Sequence, residues 1–156
     1  MSRLPFTSVL LLFATASLRA QLPGPGLSWL GTTASTRSYL PGCTELPVAA
    51  VRNEAAELRV WGDQQAPFLL LAGPSARQCL PIPGLGGGLM LDAPQIVIAV
   101  GLLTQISPCL SCPPGNEPIA LVVPAAFPVG AAVSFQAVRY GARHPAFTVA
   151  ITVTVR

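Results

Sequence analysis

Cys109-Leu-Ser-Cys112 is the tightest grouping of reactive side chains in this sequence. A redox dithiol at that spacing needs its first sulfur at a helix N-terminus, where the thiol pKa is lowered. Pro108 precedes the motif and Pro113-Pro114 follow it, so no helix can continue from it. A structural zinc would need a second tight pair, or histidines at ligand spacing. Cys43 and Cys79 are far apart, and His144, the single histidine, is remote from all four cysteines. Disulfides are therefore expected at Cys43, Cys79, Cys109 and Cys112, and four cysteines allow three connectivities. Pairing Cys43 with Cys79 and Cys109 with Cys112 would tie the start of the domain to an early loop and pin a second loop between Ile106 and Ile119. If Cys109 and Cys112 face apart, a crossed pairing replaces both.

Other chemistry is thin. A Ser–His–Asp hydrolase would have to recruit His144, with Asp63 or Asp92 as the orienting acid, and no Gly-x-Ser-x-Gly elbow is present. His144 falls in Gly141-Ala-Arg-His-Pro145, a turn sequence in which an exposed side chain is expected. A glycosidase pair would have to come from Glu45, Glu54, Glu57, Asp63, Asp92 and Glu117, whose spacing shows no local convergence. Calcium wants carboxylates clustered in one loop, which Gly62-Asp63 and Gly115-Asn116-Glu117 do not supply. Gly84-Leu-Gly-Gly-Gly88 lacks the Lys-Ser/Thr of a phosphate loop and the helix that must follow it, and reads as a turn between strands. No catalytic residue, cofactor or metal is expected, and the chain does not read as an enzyme. Trp29, Tyr39, Trp61 and Tyr140 are amphipathic rings that could stack on sugars. Trp29 and Trp61 are the candidate ligand contacts, although a tryptophan in a sandwich more often covers core or edge.

These residues sit in 156 residues, one domain's worth, of which 51% are hydrophobic and only 10% charged. Residues 1–20, MSRLPFTSVLLLFATASLRA, have the form of a secretory signal peptide. Arg3 supplies the positive start, residues 4–16 the apolar stretch, and small residues follow. The apolar stretch is short for a membrane span, which needs about 20 residues. Cleavage is expected after Ala16 or Ala20. The remainder keeps seven arginines against six acids and has no lysine. That near-neutral balance gives no electrostatic case for nucleic acid, and no second apolar run supports membrane insertion after cleavage. Export would place the cysteines in an oxidising compartment.

Residues 21–42 read as a linker rich in Pro, Gly, Ser and Thr, with Trp29 docked at most on the domain edge. Residues 43–156 read as the folded domain. Phe147, Val149, Ile151, Val153 and Val155 alternate with Thr148, Thr152 and Thr154, predicting a strand with a core face and a wetter threonine face. Residues 131–140 should pair with it through the Gly141–Pro145 turn. Residues 95–103 read as a mostly buried strand, and 68–71 and 119–123 as shorter ones; in 54–61, Ala55 to Leu58 suit a helix, but the length and the Gly62-Asp63 turn that follows favour a strand. About seven to nine short strands, punctuated by prolines, predict an all-β fold, an antiparallel β-sandwich, with a small barrel as the alternative.

The order of these pieces resembles an uncharacterised secreted β-sandwich module of planctomycete-type bacterial surface and exported proteins. The matching segments are Gly42-Cys43, the LLLAG of residues 69–73, LPIPGLGGGLML of residues 80–91 and IALVVPAAFPVGAAVSFQAV of residues 119–138. Pro124 to Gly130, followed by Phe135-Gln136-Ala137, is the most specific part. The resemblance covers about residues 40–156, implies an exported sandwich, and carries no catalytic residues. Similar modules often have a cysteine where this chain has Gly87, and Cys79 would then take over the pairing with Cys43. The Cys109–Cys112 loop is an addition to the pattern. The resulting expectation is a secreted or cell-surface, non-enzymatic structural or adhesive module of the envelope or matrix, with an envelope protein or glycan as partner. A carbohydrate-binding module is the alternative, and a small secreted hydrolase the distant one.

Overall fold

The computed structural model describes residues 25–40, 42–141 and 144–156. The expected signal peptide lies outside the described residues. Thirteen strands are present among the described residues, and none of the sheets closes into a barrel. The first sheet has the order β2-β1-β4-β10-β9, with β1 Gly26–Gly31, β2 Ser35–Ser38, β4 Ala55–Gly62, β9 Gln105–Ile106 and β10 Gly115–Val122. The second has the order β3-β13-β11-β5-β8, with β3 Glu45–Ala50, β5 Pro67–Gly73, β8 Ile96–Leu102, β11 Ala132–Arg139 and β13 Ala150–Val155. The short β12, Ala146–Phe147, also pairs with β11. The hairpin of β6 Ser75–Leu80 and β7 Leu89–Leu91 forms a third, two-stranded sheet.

The strand periodicity explains the layering. Leu27, Trp29, Leu58 and Val60 alternate with Ser28 and Arg59 in the first sheet; in the second, Ile151 and Val153 flank Thr152, and the buried Phe68 and Leu70 alternate with half-buried Leu69 and Leu71. Both sets are buried in one core cluster, so the two sheets face each other as a β-sandwich. All ladders are antiparallel except β3 with β13. Those two strands are separated in sequence by all of β4 to β12, so no tight turn dictates their direction. The prolines fall where a missing N–H is harmless: Pro67 opens β5, Pro47 lies in the edge strand β3, and Pro118 lies in β10 beyond the reach of β9.

Four expectations need correction. Residues 21–42 are not simply a linker, because β1 and β2 belong to the first sheet. The Pro-Gly run ends just before the Leu27/Trp29 alternation, which carries β1 into the core. The threonines of the last strand are not its wet face, since Thr148 and Thr152 are buried. That strand is also broken between Phe147 and Ala150. The register against β11 slips by one residue there, and the Thr148 hydroxyl accepts the Ala137 N–H at 3.0 Å in place of a backbone carbonyl. Finally, β8 is not mostly buried: it is the last strand of its sheet, with Ile96, Val97, Val100 and Leu102 exposed.

The hairpin of β6 and β7 is held on the outer side of the second sheet by Gln136. Its inner neighbours Phe135 and Ala137 belong to the core, so Gln136 faces the opposite way. The side chain is fully buried. Its Oε1 accepts the Met90 N–H at 2.8 Å, and its Nε2 donates to the carbonyls of Gly88 at 2.8 Å and Thr148 at 2.9 Å. The Gly-rich 84–88 stretch is the loop of this hairpin, as the sequence suggests. Gly86 bonds the backbone of Pro145 and Phe147, and φ at Gly84 and Gly87 is positive, which favours glycine. The Cys43–Cys79 disulfide clamps the same hairpin to the segment entering β3.

At one end of the sandwich, Glu54 joins two turns. Its carboxylate accepts the N–H groups of Thr33 and Val51 and the hydroxyls of Thr32 and Thr33, at 2.8–3.0 Å. Burial of the side chain raises its pKa, but these donated bonds outweigh burial and hold it at about 2, against an ordinary 4.5. Because the folded pKa is depressed, the contribution is complete above about pH 4.5 and disappears as pH falls towards 2. Replacing Glu54 by Gln is expected to cost about 2–3 kcal/mol at pH 7, since bonds to a charged acceptor contribute most. The gap in urea midpoint between wild type and Glu54→Gln should close towards pH 2. A gap that stays constant from neutral pH to pH 2 would refute the role of the charge.

Candidate functional site

The side of the sandwich bounded by β8 and β10 is open. β8 has β5 on one side and no strand on the other, and β10 is unpaired beyond Asn116 on the side away from β4. A cleft of about 300 Å³ enters the core between these two edges. Ile96 and Ile98 of β8, Leu121 of β10, Phe127, Phe135 and Trp29 line it. A register shift between Leu70 and Leu71 explains why both isoleucines reach it. Leu70 pairs with Ala99 and Leu71 with Val97, leaving Ile98 as an extra residue that restores Ile96 to the inner side. Val97 and Val100 lie opposite Leu71 and Leu69, on the outer face, and are 59% and 72% exposed. Residues 93–116 contain no charge, and β8 contains no proline.

Such an edge is unusual. Unpaired N–H and C=O groups invite another strand, and natural edges are normally blunted with lysine, proline or a covering loop. β8 has neither of the first two, and its exposed side chains are aliphatic on both faces. The arrangement is suited to strand addition, in which main-chain bonds supply affinity and alternate side chains enter pockets.

The residues singled out from sequence are dispersed. Both expected disulfides are present, Cys43 with Cys79 and Cys109 with Cys112, so the crossed pairing is set aside. Trp29 is not a ligand contact on an open surface: it is 1% exposed and packs against Phe135. Its indole N–H has no acceptor among the described residues. Trp61 is 6% exposed, covered by Tyr39 in an edge-on contact and by the Arg59 guanidinium, so it offers no free stacking platform. His144 is exposed. Asp63 is engaged by Arg139 at 2.5 Å, Glu57 by Arg59 at 2.6 Å and Glu117 by Thr104 at 2.8 Å, each in a different place. No group of three His, Cys, Asp or Glu side chains suited to a metal occurs among the described residues. No described helix is long and apolar enough to cross a membrane.

Sequence reasoning located the β8 segment but missed its edge position. Its apolar run has the composition of a central strand, and edge status depends on a partner that never arrives. The two paired disulfides fit an oxidising compartment. No known protein family's sequence profile matches this chain, and no curated protein matches it in sequence.

Proposed function

We propose that the protein is an exported, non-enzymatic structural or adhesive module of the cell envelope or extracellular matrix, and that β8 is the edge through which copies are joined. The observation that carries this reading is the uncharged, proline-free β8 beside an apolar cleft. A second copy is the favoured occupant. One strand pairing antiparallel with its own copy is self-complementary about a two-fold axis. No charge within residues 93–116 opposes that approach. The signal-like residues 1–20, the two disulfides and the resemblance to planctomycete-type exported modules support an extracellular setting.

Sedimentation velocity of residues 21–156 over a concentration series tests the reading. The wild type should show reversible assembly. Val97→Lys with Val100→Lys should shift the dissociation constant at least tenfold towards monomer, while changing stability by only about 0.5 kcal/mol per site, because both side chains are exposed. A wild type that stays monomeric at high concentration, or assembly unchanged in the lysine variant, would overturn it.

A further inference from the structure

On the opposite side of the first sheet from the core, a groove of about 600 Å³ runs between the strands and the Pro108–Cys112 loop. The ladder places Arg37 of β2, Ser28 of β1 and Arg59 of β4 in one row across its floor. Neighbouring strands are about 4.8 Å apart, so the two arginine backbones stand about 10 Å apart with Ser28 between them. Trp61 and Tyr39 close one end, and the disulfide-closed loop forms a wall, with the Tyr39 hydroxyl 3.3 Å from Cys112 Sγ.

The hydrogen-bonding capacity of this groove is unbalanced. Arg37 is exposed and has no carboxylate partner among the described residues. Arg59 gives its Nε and one terminal nitrogen to Glu57, which leaves further N–H donors on the same guanidinium. Ser28 is 3% exposed, and its Oγ accepts the Trp61 indole N–H at 2.9 Å. No acceptor for the Ser28 hydroxyl proton is found among the described residues. Two guanidinium groups stand against the single carboxylate of Glu57. That charge balance favours an occupant rich in acceptor oxygens and carrying negative charge. Guanidinium groups bind carboxylate and sulfate in bidentate fashion. The length of the row and the loop wall favour an elongated polyol over a lone ion.

We infer that this groove binds an acidic saccharide, one bearing carboxylate or sulfate groups, through Arg37, Arg59 and Ser28. The inference uses a face separate from β8 and stands independently of assembly there. The test is calorimetric titration of residues 21–156 with a galacturonic acid trisaccharide, with the neutral galactose trisaccharide and with sodium sulfate as separate arms. Saturable binding of the acidic trisaccharide is expected, at least tenfold tighter than either control and weakening as salt rises. Arg37→Ala, a change at an exposed position, should weaken it at least tenfold while leaving the urea midpoint unchanged. Arg37→Lys should recover only part of the loss, because an ammonium cannot make the bidentate contact. No binding of the acidic sugar, equal binding of either control, or full binding by Arg37→Ala would overturn the inference.

Discussion

Replacing Cys43 and Cys79 together by serine is expected to lower the unfolding free energy by about 4 kcal/mol, and replacing Cys109 and Cys112 by about 2 kcal/mol or less. The difference comes from chain entropy: the first bridge closes 36 residues and the second only 3, and the stabilisation grows with the logarithm of the loop. The first bridge has a further consequence, because it holds the β6–β7 hairpin to the segment before β3. Its loss should free that hairpin before the rest of the sandwich. Urea unfolding of both double-serine variants checks the ordering, and protease nicking between Leu80 and Leu89 should appear only in the first. Equal losses from the two pairs would contradict the loop-entropy origin of the difference, and a hairpin that resists nicking in the first variant would show that other contacts hold it. A loss of about 4 kcal/mol is a large part of the stability of an ordinary domain, about 5–15 kcal/mol.

Gln136→Leu should be comparably severe, at about 3–5 kcal/mol, although it puts a hydrophobic residue of similar size into a buried position. The reason is what it strands. The Met90 N–H and the Gly88 and Thr148 carbonyls all lose their partner inside the protein, and each unsatisfied buried group costs about 1–3 kcal/mol. Gln136→Glu separates bonding from size. It keeps the acceptor for Met90 but sets an oxygen against two carbonyls, so it too should be destabilised at neutral pH and recover in part on acidification, when the protonated carboxyl can donate once. If both variants melt within about 1 kcal/mol of wild type, Gln136 is not what holds the hairpin on the sheet.

The legible part of this fold is the part written in local pattern. Ile151, Val153 and Val155 announce β13 by strict alternation, and Pro67 and Gly73 bracket β5. The disulfides were readable from compartment and proline context. Pairing decisions made far along the chain were not readable. The run at residues 96–102 has the composition of a central strand, and only the missing neighbour makes it an edge. Thr148 and Thr152 look like solvent-facing residues, yet Thr148 replaces a ladder bond and Thr152 bonds Ser134 at 2.6 Å, with its hydroxyl also directed to Glu45. Gln136 lies in a motif that was noticed, but its three partners come from a hairpin about 46 residues upstream and from the β-bulge beyond. Trp29 was misplaced because the Pro-Gly run before it resembles a linker, whereas Leu27 and Trp29 two residues apart already carry the period of a strand.

The groove on the first sheet was only half legible. Trp61 was a candidate ligand contact with core or edge cover as the alternative, and it takes the covering role, itself shielded by Tyr39 and Arg59. The residues that give the groove its charge, Arg37 and Arg59, look scattered along the chain, and the β2-β1-β4 register alone brings them into one row.

The measurement that bears most directly on strand-edge assembly is hydrogen exchange of the peptide spanning Ile96–Leu102, followed as a function of protein concentration. A free edge strand leaves amides exposed to solvent, and pairing with a second strand protects them. The expected result is protection of this peptide that rises with concentration in the wild type and stays flat in Val97→Lys with Val100→Lys, while the β13 peptide is equally protected throughout. Assembly that leaves the Ile96–Leu102 amides unprotected, or protects a different edge such as β2 or β3, would contradict the assignment of β8 as the joint.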